Sequence, residues 1–280
     1  MPKKLNIKIF LIPGIIFFLF LSFCIYIFVE PYLLEVRRTD LYDEDIPDSF
    51  DNLKIVFFAD IHHGLFFSEA RVKKLVEKIN KMNPDVIFAG GDFVGNWLFE
   101  KPKYIPTCFA ELKNLKAKYG VFGVLGNHDV WTDKNLSLEE MEKSGIVYLG
   151  NKGQWLEING EKIKIGGVKD FYQDIQDAND VIGDTTEDDF VLLLTHSPDY
   201  AEKIDNNKID LVLSGHTHGG QMTFFGLWAP ATSSRYGQKY RTGLIETSNT
   251  KVLVTNGVGS ILPIRFFARP QINIINLKKK

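Results

Sequence analysis

The sequence predicts an α/β protein in which two packed sheets of mixed strand direction are flanked by helices and preceded by one transmembrane helix. Three observations carry this expectation. Short apolar runs alternate with helical patterns, the arrangement that builds parallel βαβ units. An Asn-Gly hairpin signal in the middle of the chain adds an antiparallel section. A stretch of 21 uncharged residues, rich in Phe, Ile and Leu, lies close to the N-terminus.

That stretch runs from Ile9 to Val29 and reaches roughly 30 Å as a helix, one hydrocarbon core. Lys3, Lys4 and Lys8 precede it, and Glu30, Glu35 and Asp40 follow. The positive-inside rule then puts the N-terminus in the cytoplasm and the body outside, with Arg37 and Arg38 opposing. The competing reading is a cleaved signal peptide. Its apolar core would be unusually long, no Ala-x-Ala site follows, and Phe23 before Cys24 fits a lipoprotein box poorly. Residues 1–29 are therefore expected to be an uncleaved anchor. Residues 30–52, with Pro31 and Pro47, read as a connecting segment, and 53–280 as one domain without an internal linker.

Within that domain Leu53–Ala59 is a short buried strand. Residues 68–82 place Val72, Leu75, Val76, Ile79 and Met82 on one helical face, with Ser68 as N-cap. Asp85–Ala89 is the next strand, followed by a helix around 104–118 and a strand at Gly120–Leu125. Ser137-Leu138-Glu139-Glu140 has the pattern of a capping box that opens a short helix ending near Gly145. Trp155–Ile158 and Lys162–Ile165 flank Asn159-Gly160, the hairpin signal. Phe190–Leu194, Asp210–Leu213, Lys251–Thr255 and Ile272–Leu277 complete the strands.

The totals narrow the function. In 280 residues the formal net charge is −2, which gives no footprint for bulk nucleic-acid binding. The two cysteines, Cys24 and Cys108, do not make a disulfide framework.

All six histidines fall in four short blocks, each at the end of a predicted strand. These are Asp60-Ile61-His62-His63, Gly126-Asn127-His128-Asp129, Thr195-His196-Ser197 and Gly215-His216-Thr217-His218. Gly90-Gly91-Asp92 adds a carboxylate. Loops at the carboxyl ends of strands converge on one rim in open α/β sheets, so these blocks are expected to meet. Extended residues two apart point the same way, so Asp60 joins His62, and His216 joins His218. An N and O donor set without thiolate favours Mn²⁺, Fe or Zn²⁺. So many polar groups suit two ions that share a carboxylate, a centre that clamps phosphoryl oxygens.

Asp60-Ile61-His62, Gly91-Asp92, Gly126-Asn127-His128-Asp129, His196 and Gly215-His216-Thr217-His218 together resemble the five-block signature of the calcineurin-like metallophosphoesterases, in order, over roughly residues 53–277. Gly219-Gly220-Gln221, Asn256-Gly257-Val258-Gly259, Pro263-Ile264-Arg265 and Arg269-Pro270 resemble the membrane-associated branch of that family. The branch holds YkuE-type phosphoesterases and a UDP-diacylglucosamine pyrophosphatase type. Gln271 stands where the branch has Glu.

The resemblance implies a four-layer α/β/β/α sandwich of two mixed sheets. It implies that Asp60, His62, Asp92 and His218 hold one metal, and that Asp92, Asn127, His196 and His216 hold the other, with Asp92 bridging. His128 would stabilise a phosphoryl oxygen or protonate the leaving group, oriented by Asp129. His63 either contacts substrate or fills the rim. Arg265 and Arg269, like Arg235 and Arg241, either hold a second phosphate or are structural. Leu65-Phe66-Phe67, Trp97-Leu98-Phe99 and Phe224-Phe225-Gly226-Leu227-Trp228 either pack as ordinary loops or form an apolar rim that meets lipid. The expected function is hydrolysis of phosphoester, phosphodiester or pyrophosphate bonds, with lipid-linked or cell-envelope substrates favoured. The alternatives are a broad phosphodiesterase on soluble substrates and a non-catalytic metal-binding scaffold; the latter is disfavoured because every ligand is intact.

Overall fold

The structure is a computed structural model and describes residues 7–95 and 101–280. The cluster Trp97-Leu98-Phe99 lies outside them. Two six-stranded sheets face each other. Each strand is short, and its side chains alternate between the two faces, so one sequence parity fills the centre and the other meets the outer layer.

The first sheet has the order β1-β12-β2-β3-β4-β5. Its strands are β1 (Glu35–Asp43), β2 (Lys54–Phe58), β3 (Val86–Ala89), β4 (Val121–Gly123), β5 (Val147–Tyr148) and β12 (Gln271–Lys279). All pairs are parallel except β12–β2. The second sheet has the order β10-β11-β9-β8-β7-β6. It comprises β6 (Lys152–Ile158), β7 (Glu161–Gly167), β8 (Val191–Leu194), β9 (Leu211–Ser214), β10 (Gly243–Glu246) and β11 (Lys251–Val254). Its outer pairs, β6–β7 and β10–β11, are antiparallel and the central three are parallel.

Ile55, Phe57 and Phe88 of the first sheet pack against Ile165, Leu192, Leu194 and Leu213 of the second. Full burial of such a side chain is worth about 1.5–3 kcal/mol. The opposite parity, Val56, Phe58 and Ile87, meets helices α2 (Glu69–Asn80) and α3 (Tyr104–Leu112) through Val72, Leu75, Ile79, Ile105 and Phe109. The outer face of the second sheet is covered more thinly. Val191, Leu193 and Val212 meet Val181 of the short α5 (Asn179–Ile182), Tyr200 and Tyr240.

Three expectations need correction. Residues 30–52 are more than a connection, because they contain β1, which pairs with β12 in register Glu35↔Gln271 to Asp43↔Lys279. As a polar edge strand with one buried side chain, Leu41, it lacks the apolar run that marks its neighbours. Helix α4 (Asn127–Lys143) starts at Gly126, well before Ser137. It kinks at Asp133, whose φ of −171° is extended, and Asp133 Oδ1 accepts the Leu136 N–H at 3.0 Å. The cap is therefore Asp133; Ser137 is buried and its hydroxyl donates to the Asp129 carbonyl. Ser68 does occupy the N-cap position of α2, but its hydroxyl makes no capping bond.

Helix α1 (Ile7–Val29) is long and apolar enough to cross a membrane. Its side chains from Leu11 to Leu21 stand exposed. Its last turns instead dock on the body: Phe23 and Tyr26 meet Phe266 edge-on, and the Ile27 carbonyl accepts the Arg265 N–H at 2.9 Å. Cys24 and Cys108 are both free thiols.

Candidate metal centre

The loops after β2, β3, β4, β8 and β9 converge on one rim, as the carboxyl edges of two parallel stretches must. The ladder continues beyond the strands. Asp60 N–H donates to the Gly91 carbonyl at 2.9 Å and His62 N–H to the Asp92 carbonyl at 3.0 Å. Asp60 links the sheets, because both its oxygens accept the His216 N–H at 3.1 Å. Two glycines are obligatory for this closeness. A Cβ on Gly126 would lie 2.2 Å from Asp92 Oδ1, and one on Gly215 would lie 2.5 Å from Asp60 Oδ2.

Side-chain donors gather in two sets, each within 4.8 Å: Asp60, His62 and His218, and Asp92, His196 and His216. A third set, His62, Asp92 and His128, overlaps them. Asp92 joins the groups, with Oδ2 3.1 Å from His196 Nε2 and 3.6 Å from His62 Nε2. Its other oxygen accepts the His128 N–H at 2.9 Å.

The ring tautomers are fixed from behind. The Gly95 carbonyl faces His62 Nδ1 at 3.1 Å and the Gly90 carbonyl faces His196 Nδ1 at 2.8 Å. Each carbonyl takes the Nδ1 proton and turns Nε2 inward, as it does behind metal-binding histidines. His62 Nε2 then lies 3.2 Å from His218 Nε2, and His196 Nε2 lies 3.2 Å from His216 Nδ1. Ligands about 2.1 Å from one tetrahedral ion would be about 3.4 Å apart. Asn127 Oδ1 and His128 Nδ1 are buried and have no protein partner. Convergent lone pairs and orphaned buried polar atoms fit divalent cations.

The electrostatics agree. Burial, helped by the charge on His196, depresses His62 and His216 to about 3, so both rings are neutral and able to ligate. Burial works against the Asp92 charge, yet His196 and His128 hold that carboxyl well below the usual carboxylate range. Burial alone would lower His196, but Asp92 and Asp60 drive it up to about 10. A proton and a metal ion compete for His196 Nε2, and the same two carboxylates attract either.

The extended geometry expected for Asp-x-His and His-x-His is not what brings these residues together. Asp60, His62, Asp92, His216 and His218 have φ of 57°, 48°, 54°, 70° and 51°. Left-handed backbone at a residue with a Cβ costs roughly 1–2 kcal/mol. Such strain concentrates at functional sites. The strands stop at Phe58, Ala89 and Ser214, and these ligands lie on the tight turns beyond them.

Several expected roles also change. Asp129 does not orient the His128 ring. It is fully buried, with Oδ2 accepting from the Asp92 and Gly126 N–H groups at 2.8 and 2.9 Å, and Oδ1 from Val94 at 3.1 Å. It fixes the loop that carries Asp92 to the first turn of α4. Asp129→Ala would strand three buried donors, so we expect a loss of at least about 3 kcal/mol. Thermal unfolding should then show Tm lowered by roughly 6–12 °C.

His63 is buried apart from the metal sets, with Nδ1 at 2.7 Å from the Phe67 carbonyl and Nε2 at 2.9 Å from Thr107 Oγ1. Both ring nitrogens are used, so it fills the rim. Arg265 is fully buried, and its guanidinium donates to the Ala268, Asn256 and Gly259 carbonyls. It is a structural residue that no substrate reaches. Arg269 is exposed and lies against Tyr26 of α1.

Two residues at this rim were not anticipated. Asp170, just beyond β7, is buried with Oδ2 unpartnered, and Tyr172 lays its ring against His216 at 5.2 Å. An isolated Asp after a hairpin strand, with no histidine beside it, gave no signal.

Trp131 covers the solvent side of His128, ring centroids 4.9 Å apart. The loop that follows His218 exposes Phe224, Phe225, Leu227 and Trp228, and Phe225 stacks on Phe266 and Phe267. Leu65 is exposed, Phe66 half-buried and Phe67 buried.

Comparison with known proteins agrees with this geometry. Residues 53–220 match the family described as calcineurin-like phosphoesterase. YkuE, a metallophosphoesterase of Bacillus subtilis, is 33% identical over 258 residues, covering 90% of this chain and 88% of its own. A metallophosphoesterase of Aquifex aeolicus is 32% identical over 91% of this chain and 96% of its own. A zebrafish (Danio rerio) transmembrane protein with a metallophosphoesterase domain is 28% identical over 84% of this chain and 55% of its own. Among solved structures, the NAD nucleotidase of Haemophilus influenzae shares the fold, with a TM-score of 0.50 at 17% identity over 74% of this chain and half of that one. The chain belongs to the calcineurin-like metallophosphoesterase family and is a metal-dependent phosphoesterase.

Proposed function

We propose that this protein is a single-pass, membrane-anchored hydrolase of phosphodiester or pyrophosphate bonds in lipid-linked or cell-envelope compounds. The observation that carries the substrate class is the continuity of apolar surface. The exposed Phe224–Trp228 loop follows His218 and stacks, through Phe225, on the same Phe266 and Phe267 that receive Tyr26 of α1. The metal rim and the end of the anchor therefore share one aromatic surface. Aromatic side chains of this kind sit well at a membrane interface. In this reading residues 1–29 anchor the protein, residues 53–280 form the catalytic domain, and the lysines before α1 put that domain outside the cytoplasm.

Asp60, His62 and His218 would hold one ion, and Asn127, His196 and His216 the other, with Asp92 between them; Mn²⁺, Fe or Zn²⁺ suits this donor set. Bound divalent ions supply Lewis acidity toward phosphoryl oxygens. The chain's own groups do the rest. His128 stands in the first turn of α4, directly after Asn127. Its backbone is pinned to Asp92 and its ring is wedged between His62 and Trp131. It is placed to bind a phosphoryl oxygen and pass a proton to the leaving oxygen.

The test is hydrolysis by the full chain, reconstituted with Mn²⁺, of a soluble aryl phosphodiester and of a lipid-linked pyrophosphate. Chelation should abolish both activities. Phe66→Ser and Trp228→Ser should lower the lipid activity about tenfold, the worth of one buried aromatic contact, and leave the soluble activity nearly unchanged. The same is expected of Trp97→Ser. Equal losses on both substrates would point to a broad phosphodiesterase instead.

A further inference from the structure

Glu30 follows directly on α1 and is fully buried. A buried carboxylate is costly unless charge and hydrogen bonds compensate it. Here Oε2 accepts the Phe267 N–H at 2.7 Å and Oε1 the Ala268 N–H at 2.8 Å. Arg265, itself fully buried, is attracted by both Asp60 and Glu30, and it shares Ala268 with Glu30, which accepts the N–H while Arg265 donates to the carbonyl.

Arg265 carries the connection inward. Its Nη1 donates to the Ala268 carbonyl at 2.6 Å and approaches the His218 carbonyl at 3.4 Å. Its Nη2 donates to the Asn256 and Gly259 carbonyls at 2.8 and 2.6 Å. The segment 256–259 is pressed onto Asp60: the Gly259 N–H donates to the Asp60 carbonyl at 2.7 Å. At Gly257 a Cβ would stand 2.5 Å from the Cβ of Asp60. This chain of contacts ends on Asp60 and His218, two members of one metal set. It reaches the other set at one remove, through the His216 N–H on Asp60 and the Asp60 N–H on the Gly91 carbonyl next to Asp92.

We propose that Glu30 is a positioning residue which, through Arg265, ties the end of the membrane helix to Asp60 and His218 and so sets the affinity of one of the two metal positions. The inference rests on the two-ion reading above. The end of α1 is then part of the site's supporting shell, and metal affinity depends on a residue at the membrane boundary.

The test is calorimetric titration of the full chain in detergent with Mn²⁺ alone, comparing wild type, Glu30→Gln and Arg265→Lys. Glu30→Gln keeps the shape and loses the charge; Arg265→Lys keeps the charge and loses the forked donor. Loss of an outer-shell partner typically weakens metal binding about 10–100-fold. That loss is expected at one position, with the other within about threefold of wild type. A general structural defect would weaken both positions together, and that result overturns the proposal, as does wild-type affinity at both. If Glu30→Gln does not fold, Glu30→Asp keeps the charge at a shorter reach; the same split supports the proposal and unchanged affinities overturn it. A wild-type chain that binds fewer than two ions overturns the two-ion reading itself, which keeps the two failures distinct.

Discussion

Asp92→Asn is expected to release both metal ions and to lower hydrolysis by on the order of 10³-fold, as losing several kcal/mol of metal-supplied stabilisation requires. The reason is the position of Oδ2, which faces His196 at 3.1 Å and His62 at 3.6 Å, so that one oxygen serves both sets. Asparagine keeps the volume and the acceptor for the His128 N–H. It removes the charge that offsets the two cations, and its amide turns donors toward one set. Metal analysis of the purified variant checks this. If one ion stays bound with wild-type affinity, Asp92 is not the bridge.

His128→Ala is expected to keep both ions and slow turnover by about 10²–10⁴-fold, the range for losing a positioned proton donor. The ring lies beside the metal sets, 5.0 Å from His62 centroid to centroid, and its Nδ1 has no protein partner. A group so placed can address substrate. The readout is metal content together with kcat on a substrate whose leaving group needs no proton. An activated aryl leaving group should show a much smaller loss than an alkyl one. If the variant instead loses an ion, His128 is a ligand and its assignment changes.

The two sheets and their parallel centres were legible because buried strands announce themselves: residues 54–58, 86–89, 191–194 and 211–214 are short apolar runs, and each is a strand. Convergence of the histidine blocks followed from the carboxyl-edge rule and needed no knowledge of side-chain geometry. What the residues did not reveal were elements whose partners lie far along the chain. Strand β1 is mostly polar and exists because β12 hydrogen-bonds to it. Asp129 looked like a histidine partner by adjacency, but at a helix start it is the backbone N–H groups, not the ring of the preceding residue, that its oxygens meet. Arg265 looked like a phosphate binder by residue type, and only packing shows it turned inward. The left-handed turns at the ligands were also invisible, since Asp and His carry no sequence mark for positive φ as Gly does.

The place of β12 has a consequence for how the protein is made. In the first sheet it lies between β1 and β2, joining them, although its residues, 271–279, are synthesised some two hundred positions after theirs. Until it emerges, β1 has no neighbour and β2 presents an unpaired edge, the kind of surface that invites wrong pairing. Contacts between such distant parts of a chain form slowly. Helix α1 is complete well before the domain can close. Segment 265–268, which grips Glu30, also arrives late. Assembly of this sheet therefore waits for a strand made long after its neighbours, so a ribosome stalled before β12 would leave β1 unpaired and the sheet open at β2.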